Sequence, residues 1–154
     1  MFKRFVFISI IIMIVFCGSC AKKEPARSPD SDVLANKISE KFNDLSVSLG
    51  EDEARKLFDE KNDIDFSKIE NFSVRQSENG ETGVFKLYSD ANVDYVKQMA
   101  AGRVLKLQAE AGSFENQNRA NNAEVRSYGN YVYYVSHSQK DRIFKVIEDV
   151  LKGK

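Results

Sequence analysis

The chain has 154 residues, and its 23 basic and 23 acidic side chains give a formal net charge of zero. That balance excludes the basic excess that an electrostatic nucleic-acid binder needs. Two cysteines and one histidine are too few for a disulfide scaffold or for a zinc centre built from them.

The first stretch, Met1–Cys20, places Lys3 and Arg4 before an apolar run from Phe5 to Phe16, then Gly18 and Ser19 before Cys20. The run has the length of a signal-peptide core and falls short of the roughly 18–20 residues that span a bilayer. Its positive flank stays cytoplasmic while the remainder is translocated. An uncleaved anchor over Phe5–Phe16 is the other reading, and both place the domain outside the cytoplasm.

The end of this stretch resembles the lipobox of bacterial lipoproteins. Gly18, Ser19 and Cys20 fit its last three positions, and Cys17 stands where Leu is usual. The resemblance implies residues 1–19 as a cleaved signal and a thioether-linked diacylglycerol on Cys20. It implies an exported protein on the outer face of the cytoplasmic membrane, or on an outer membrane where the host has one. Two or three acyl chains anchor stably, because each buried methylene adds about 0.8 kcal/mol. Loss of Lys3 and Arg4 with the signal leaves a net charge near −2, and loss of Cys17 leaves no partner for an intramolecular disulfide. The fold then rests on its apolar core.

Residues 20–32 form the lipidated cysteine and a tether that holds both prolines, Pro25 and Pro29, among charged and small residues. Residues 33–154 form one domain. Ser31 or Asp32 can cap a first helix, whose stripe is Leu34, Ile38, Phe42, Leu45 and Leu49, with Gly50 as its stop. A shorter helix spans Glu51–Phe58, with Leu57 and Phe58 facing inward. Asp59–Asp65 is an acidic turn without the glycine and closing glutamate of an EF-hand loop, so it reads as solvated.

A hairpin follows: Ile69–Gln76, a turn at Asn79-Gly80, and Thr82–Tyr88. Asp90 or Asn92 opens a long helix to about Ala111, with Val93, Val96, Ala100, Val104 and Leu107 buried and Gly102 marking a close packing contact. Ser113–Asn122 is an Asn-rich loop with Phe114 as an inward anchor. A second hairpin joins Ala123–Tyr128 to Tyr131–His137 through Gly129-Asn130. Ser138 caps a last helix, with Asp141 in a capping-box position and Ile143, Val146, Ile147, Val150 and Leu151 buried. The stretches VRQSENGETGVFKLYS and VRSYGNYVYYVS echo each other, each before a helix. A strand–strand–helix unit used twice predicts an α+β fold, a four-stranded antiparallel sheet covered on one face by helices. The same echo also arises from punctuation that any hairpin–helix unit needs.

Leu57–Leu151 resembles a family of small lipoproteins, mostly of Gram-positive bacteria, built on a domain of unknown function. The features that carry the resemblance are the acidic turn before a strand pair with Val84-Phe85-Lys86, the Arg103 helix followed by Phe114, and Gly129-Asn130-Tyr131-Val132 before a closing helix. The resemblance implies an address and a fold and assigns no chemistry.

Candidate sites are few. His137 lies beside Ser136 and Ser138, but strand neighbours point to opposite faces, so neither is aimed at it as a nucleophile. Arg103 sits at the edge of a buried stripe. It can pair with a carboxylate or a ligand anion, or lay its stem on the core with a wet head. Glu78, Glu81, Glu110 and Glu115 read as a charged exterior. On the last strand Tyr131, Tyr133, Val135 and His137 share one face, and Val132, Tyr134 and Ser136 the other. If Tyr131 and Tyr133 face outward, with Tyr88 nearby, they form an aromatic platform for a peptide, glycan or protein; if inward, they are core. The leading expectation is a lipid-anchored, non-catalytic interaction module at the cell envelope, working through the open sheet face or the Asn-rich loop, with no cofactor and no metal. The alternative is a ligand-binding or sensory lipoprotein with a pocket between sheet and helices near Arg103.

Overall fold

Buried large side chains on both sides of one strand demand cover on both sides. Tyr131 and Tyr133 alternate with Val132 and Tyr134 in the last strand, and all four are buried. The computed structural model describes residues 28–58, 64–112 and 119–154. The signal, Cys20, the tether as far as Arg27, Asp59–Asp63 of the acidic turn and Phe114 lie outside them.

Five antiparallel strands form one sheet in the order β1-β2-β3-β5-β4. They are β1 (Val47–Ser48), β2 (Ile69–Ser77), β3 (Gly80–Leu87), β4 (Glu124–Tyr128) and β5 (Tyr131–His137). The helices are α1 (Ser31–Lys41), α2 (Glu51–Phe58), α3 (Val93–Glu110) and α4 (Lys140–Leu151). On one face, Val84, Tyr131, Tyr133 and Val135 pack with Leu34, Ile38 and Phe42 and with Ile143, Phe144, Ile147 and Leu151 of α4. On the other, Phe85, Leu87, Val132 and Tyr134 pack with Val96, Met99, Ala100 and Val104 of α3, and Phe58 of α2 covers the end of this cluster.

The α+β class and the antiparallel sheet match the sequence expectation. Strand number and cover do not: there are five strands rather than four, and helices cover both faces. The extra strand arises because the first helix stops at Lys41. Phe42 leaves helical geometry (φ −131°, ψ 83°), a short 3-10 turn carries Leu45 into the core, and Val47 and Ser48 pair with Gln76 and Arg75. The two hairpins exist, yet α3 and α4 lie on opposite faces. A rotation that exchanges the hairpins therefore does not carry one helix onto the other.

Local chemistry also departs from expectation in three places. The first hairpin turns on Glu78-Asn79, with Gly80 already paired to Ser77. Gly102 is exposed and an added Cβ would meet nothing within 4 Å, so it marks no close contact. Ser138 does not cap α4; Gln139 occupies the cap position, and its N–H is taken by His137. The second turn is as expected, with Gly129 at φ 56°, a conformation that favours glycine. The Asn130 side chain fastens that turn by donating to the Leu87 carbonyl at 2.7 Å.

Candidate functional site

The sheet carries two ionic knots, one near each end of β3 and on opposite faces. At the start of β3, Glu81 is only 3% exposed. Its carboxylate accepts from Arg103 Nε at 2.8 Å and Nη2 at 2.7 Å, from Tyr134 Oη at 2.5 Å, and from Gln76 Nε2 at 2.5 Å. Those bonds use the acceptor capacity of both oxygens.

The sequence builds this knot through strand register. Gln76 faces Glu81 directly, and Gly83 faces Tyr134. A Cβ on Gly83 would lie 2.2 Å from Tyr134 Cε1. Only a glycine there lets the ring lie across β3 and deliver its hydroxyl to Glu81. Burial opposes the Arg103 charge, but the Glu81 carboxylate outweighs it and holds the guanidinium above its ordinary range. Burial, and then the Glu81 charge, push the Tyr134 phenol well above its usual value.

Arg103 is thus brought to Glu81 rather than left with a wet head, and Glu81 belongs to the core rather than the charged exterior. Beside the knot lies a cleft of about 290 Å3, lined among the described residues by Glu78, Glu110, Leu107 and Arg119 as well as the knot itself. Arg103 Nη1 faces it, 3.7 Å from Glu110 Oε2. This is the place expected for a ligand pocket, but it is open and polar, and its central guanidinium is already neutralised.

At the other end of β3, Lys86 donates to Glu70 at 2.8 Å and Asp30 at 3.2 Å. Asn71 Nδ2 also donates to Asp30, at 3.0 Å, and Asn71 Oδ1 accepts from the Ser31 N–H at 2.7 Å. Tyr131 Oη donates to the Pro29 carbonyl at 2.6 Å and lies 3.3 Å from Ser28 Oγ. Ser28–Ser31 are therefore clasped across β5, β3 and β2. The Glu70 hydrogen bond raises the Lys86 ammonium above its ordinary range against a smaller opposing effect of burial.

The aromatic platform does not form. Tyr131 and Tyr133 are 0% and 1% exposed under α1 and α4, whereas Tyr88 is 68% exposed on the chain leaving β3. Tyr131 serves the clasp, and Tyr133 packs against Phe144 with ring centroids 5.8 Å apart. Burial, and next Glu148, raise the Tyr133 phenol far above its usual range.

His137 is also buried, with Nε2 2.9 Å from Asp44 Oδ2. Its Nδ1 accepts the Gln139 N–H at 3.0 Å, which places the neutral ring's proton on Nε2, toward Asp44. That hydrogen bond lowers the Asp44 carboxyl below its ordinary range, although burial opposes it. An Asp–His pair supplies two members of a nucleophilic triad, but here both ring nitrogens are occupied and no hydroxyl among the described residues is bonded to either. Sequence reasoning missed Asp44, Glu81 and Lys86 because their partners lie 93, 22 and 56 residues away.

Among the described residues, no His/Cys/Asp/Glu group has the arrangement of a metal site, and no helix is long and apolar enough to cross a membrane. No protein-family model matches the chain, and no curated protein or solved structure is detectably similar to it.

Proposed function

We propose that the chain is a lipid-anchored, extracytoplasmic and non-catalytic interaction module of the cell envelope, related to small bacterial lipoproteins and tethered through Cys20. The observation that supports this most is the clasp. The segment that would emerge from the lipidated cysteine is fastened to the sheet at Pro29, Asp30 and Ser31. A lipid anchor on such a segment would keep the Lys86 end of β3 nearer the membrane than the Glu81 end. The chemistry of the buried groups fits a binding role better than catalysis, because Glu81 and Arg103 spend their hydrogen bonds on each other and His137 spends its own on Asp44 and Gln139.

Labelling of cells making the full chain tests the address. Wild type should take up a labelled fatty acid and run as the shortened mature chain, and Cys20→Ser should take up none and keep Met1–Ser19. An unlabelled wild type, or equal labelling of the two forms, would contradict lipid anchoring. The second reading, a small-ligand lipoprotein, draws on the cleft beside Arg103. It predicts a saturable ligand whose binding is lost on Arg119→Ala while the fold survives.

A further inference from the structure

We infer that the outer edge of β2 is a docking site for one extended segment of a partner polypeptide, taken as an added strand that carries a cationic side chain. The inference deepens the interaction-module reading and rests on it for the partner's biological setting. β1 covers only the far part of that edge, pairing Val47 with Gln76 and Ser48 with Arg75. The Leu49 N–H then donates to the Val74 carbonyl at 3.1 Å, and the chain turns away at Gly50 into α2. Backbone groups of a strand alternate in direction, so Phe72 presents its N–H and C=O to the same side as Val74. No strand lies beside Phe72 on that side among the described residues.

The uncovered edge is a groove of about 340 Å3 between the start of α1 and α2. Phe72 and Ala54 supply its apolar wall. On the other wall, Ser73 is 6% exposed, and its hydroxyl has no hydrogen-bond partner among the described residues. That hydroxyl is closed to solvent, so the hydrogen-bonding groups the edge leaves open are those of the Phe72 backbone. An extended peptide satisfies edge amides by main-chain hydrogen bonds and is selected by its alternate side chains.

Charge selects the class of segment. Three carboxylates, Asp32, Glu51 and Glu70, line the groove against one guanidinium, Arg55. Arg55 is held by Glu51 at 2.6 Å and lies over the Phe66 ring, and Glu70 is bonded to Lys86. Asp32 makes no ion pair among the described residues and is left to meet a lysine or arginine. A second copy meeting this groove with its own β2 does not fit, because that edge is recessed between the same two helices, and one offering its β4 edge is told apart by concentration dependence in the test.

The test uses the isotope-labelled full chain in detergent micelles and a blocked peptide of alternating valine and lysine, about seven residues long to span the edge. Binding should move the amide resonances of Phe72, Ser73 and Val74, and exchange of the Phe72 N–H should slow at least about tenfold. The same peptide methylated on every backbone nitrogen keeps its side chains and charge and should not bind. Asp32→Asn should weaken binding by about threefold, the scale of one exposed ion pair, with an unchanged circular dichroism spectrum. Shifts confined to other surfaces, equal binding of the methylated peptide, or no shifts would each overturn the inference. So would edge shifts that follow protein concentration without peptide, since they would report a second copy. Cys20→Ser should bind the peptide as wild type does, which separates failure of the edge site from failure of the lipid anchor.

Discussion

Two buried charges on one strand have opposite kinds of partner. Glu81 draws every hydrogen bond from inside the folded body: Gln76 on the neighbouring strand, Tyr134 on the next, and Arg103 from the covering helix. Lys86 draws on Asp30, which is 66% exposed and belongs to the segment leading into α1, and on Glu70 at the edge of the sheet. The first knot closes the core upon itself, whereas the second fastens an entering chain to a finished sheet. Removing a partner from the first leaves a buried charge without its counter-ion. Removing one from the second mainly releases the segment.

The largest effect should come from opening the closed knot. Arg103→Met strands the Glu81 carboxylate and should cost about 3–5 kcal/mol in urea unfolding, with the double variant Arg103→Met/Glu81→Leu recovering much of the loss. Gly83→Ala attacks the same knot sterically, by driving a methyl into the Tyr134 ring, and should cost about 1–3 kcal/mol. A wild-type midpoint for Gly83→Ala would show that the ring is not held across β3.

The clasp should respond more weakly and in a different observable. Lys86→Met should cost about 1 kcal/mol, since its partners are partly exposed, while trypsin cleavage after Arg27 becomes faster. Raised above its ordinary value of 10.5, the lysine contributes stability below that pH and loses it as pH climbs through the higher folded value. Gly102→Ala touches neither knot and should stabilise by about 0.5–1 kcal/mol, because the site is helical and open.

The smallest effect belongs to Asp44. Its carboxyl is held below its ordinary 3.8, so its contribution is present above that pH and is lost as pH falls through the lower folded value. A urea midpoint measured against pH should therefore fall less steeply in acid for Asp44→Asn than for wild type.

Several elements were legible from local spacing and turn chemistry alone. The helix Glu51–Phe58, the strand Tyr131–His137 and the turn Gly129-Asn130 stand where spacing and turn chemistry placed them. The alternation along β5 could not settle its cover, because Tyr131 and Tyr133 are as apolar as Val132 and Tyr134. The answer lay in distant stripes, on α1 and α4 for one face and on α3 for the other. β1 escaped notice because a two-residue strand has no period. Both knots were hidden for a similar reason: Glu81 read as a surface charge, Lys86 as part of a strand motif, and Arg103 as a cation with no named carboxylate, until strand pairing set their partners beside them. Gly83 was the one local sign, a glycine in mid-strand where a side chain or ring comes close.

The account turns on Cys20, since the clasp orients the domain only if the segment before it is anchored. Mass spectrometry of the mature amino-terminal peptide from membranes reads this directly. The prediction is a chain beginning at Cys20 with a diacylglycerol on its sulfur and no trace of Met1–Ser19. A chain beginning at Met1, or one cut elsewhere with Cys20 lost or carrying a free thiol, would contradict it.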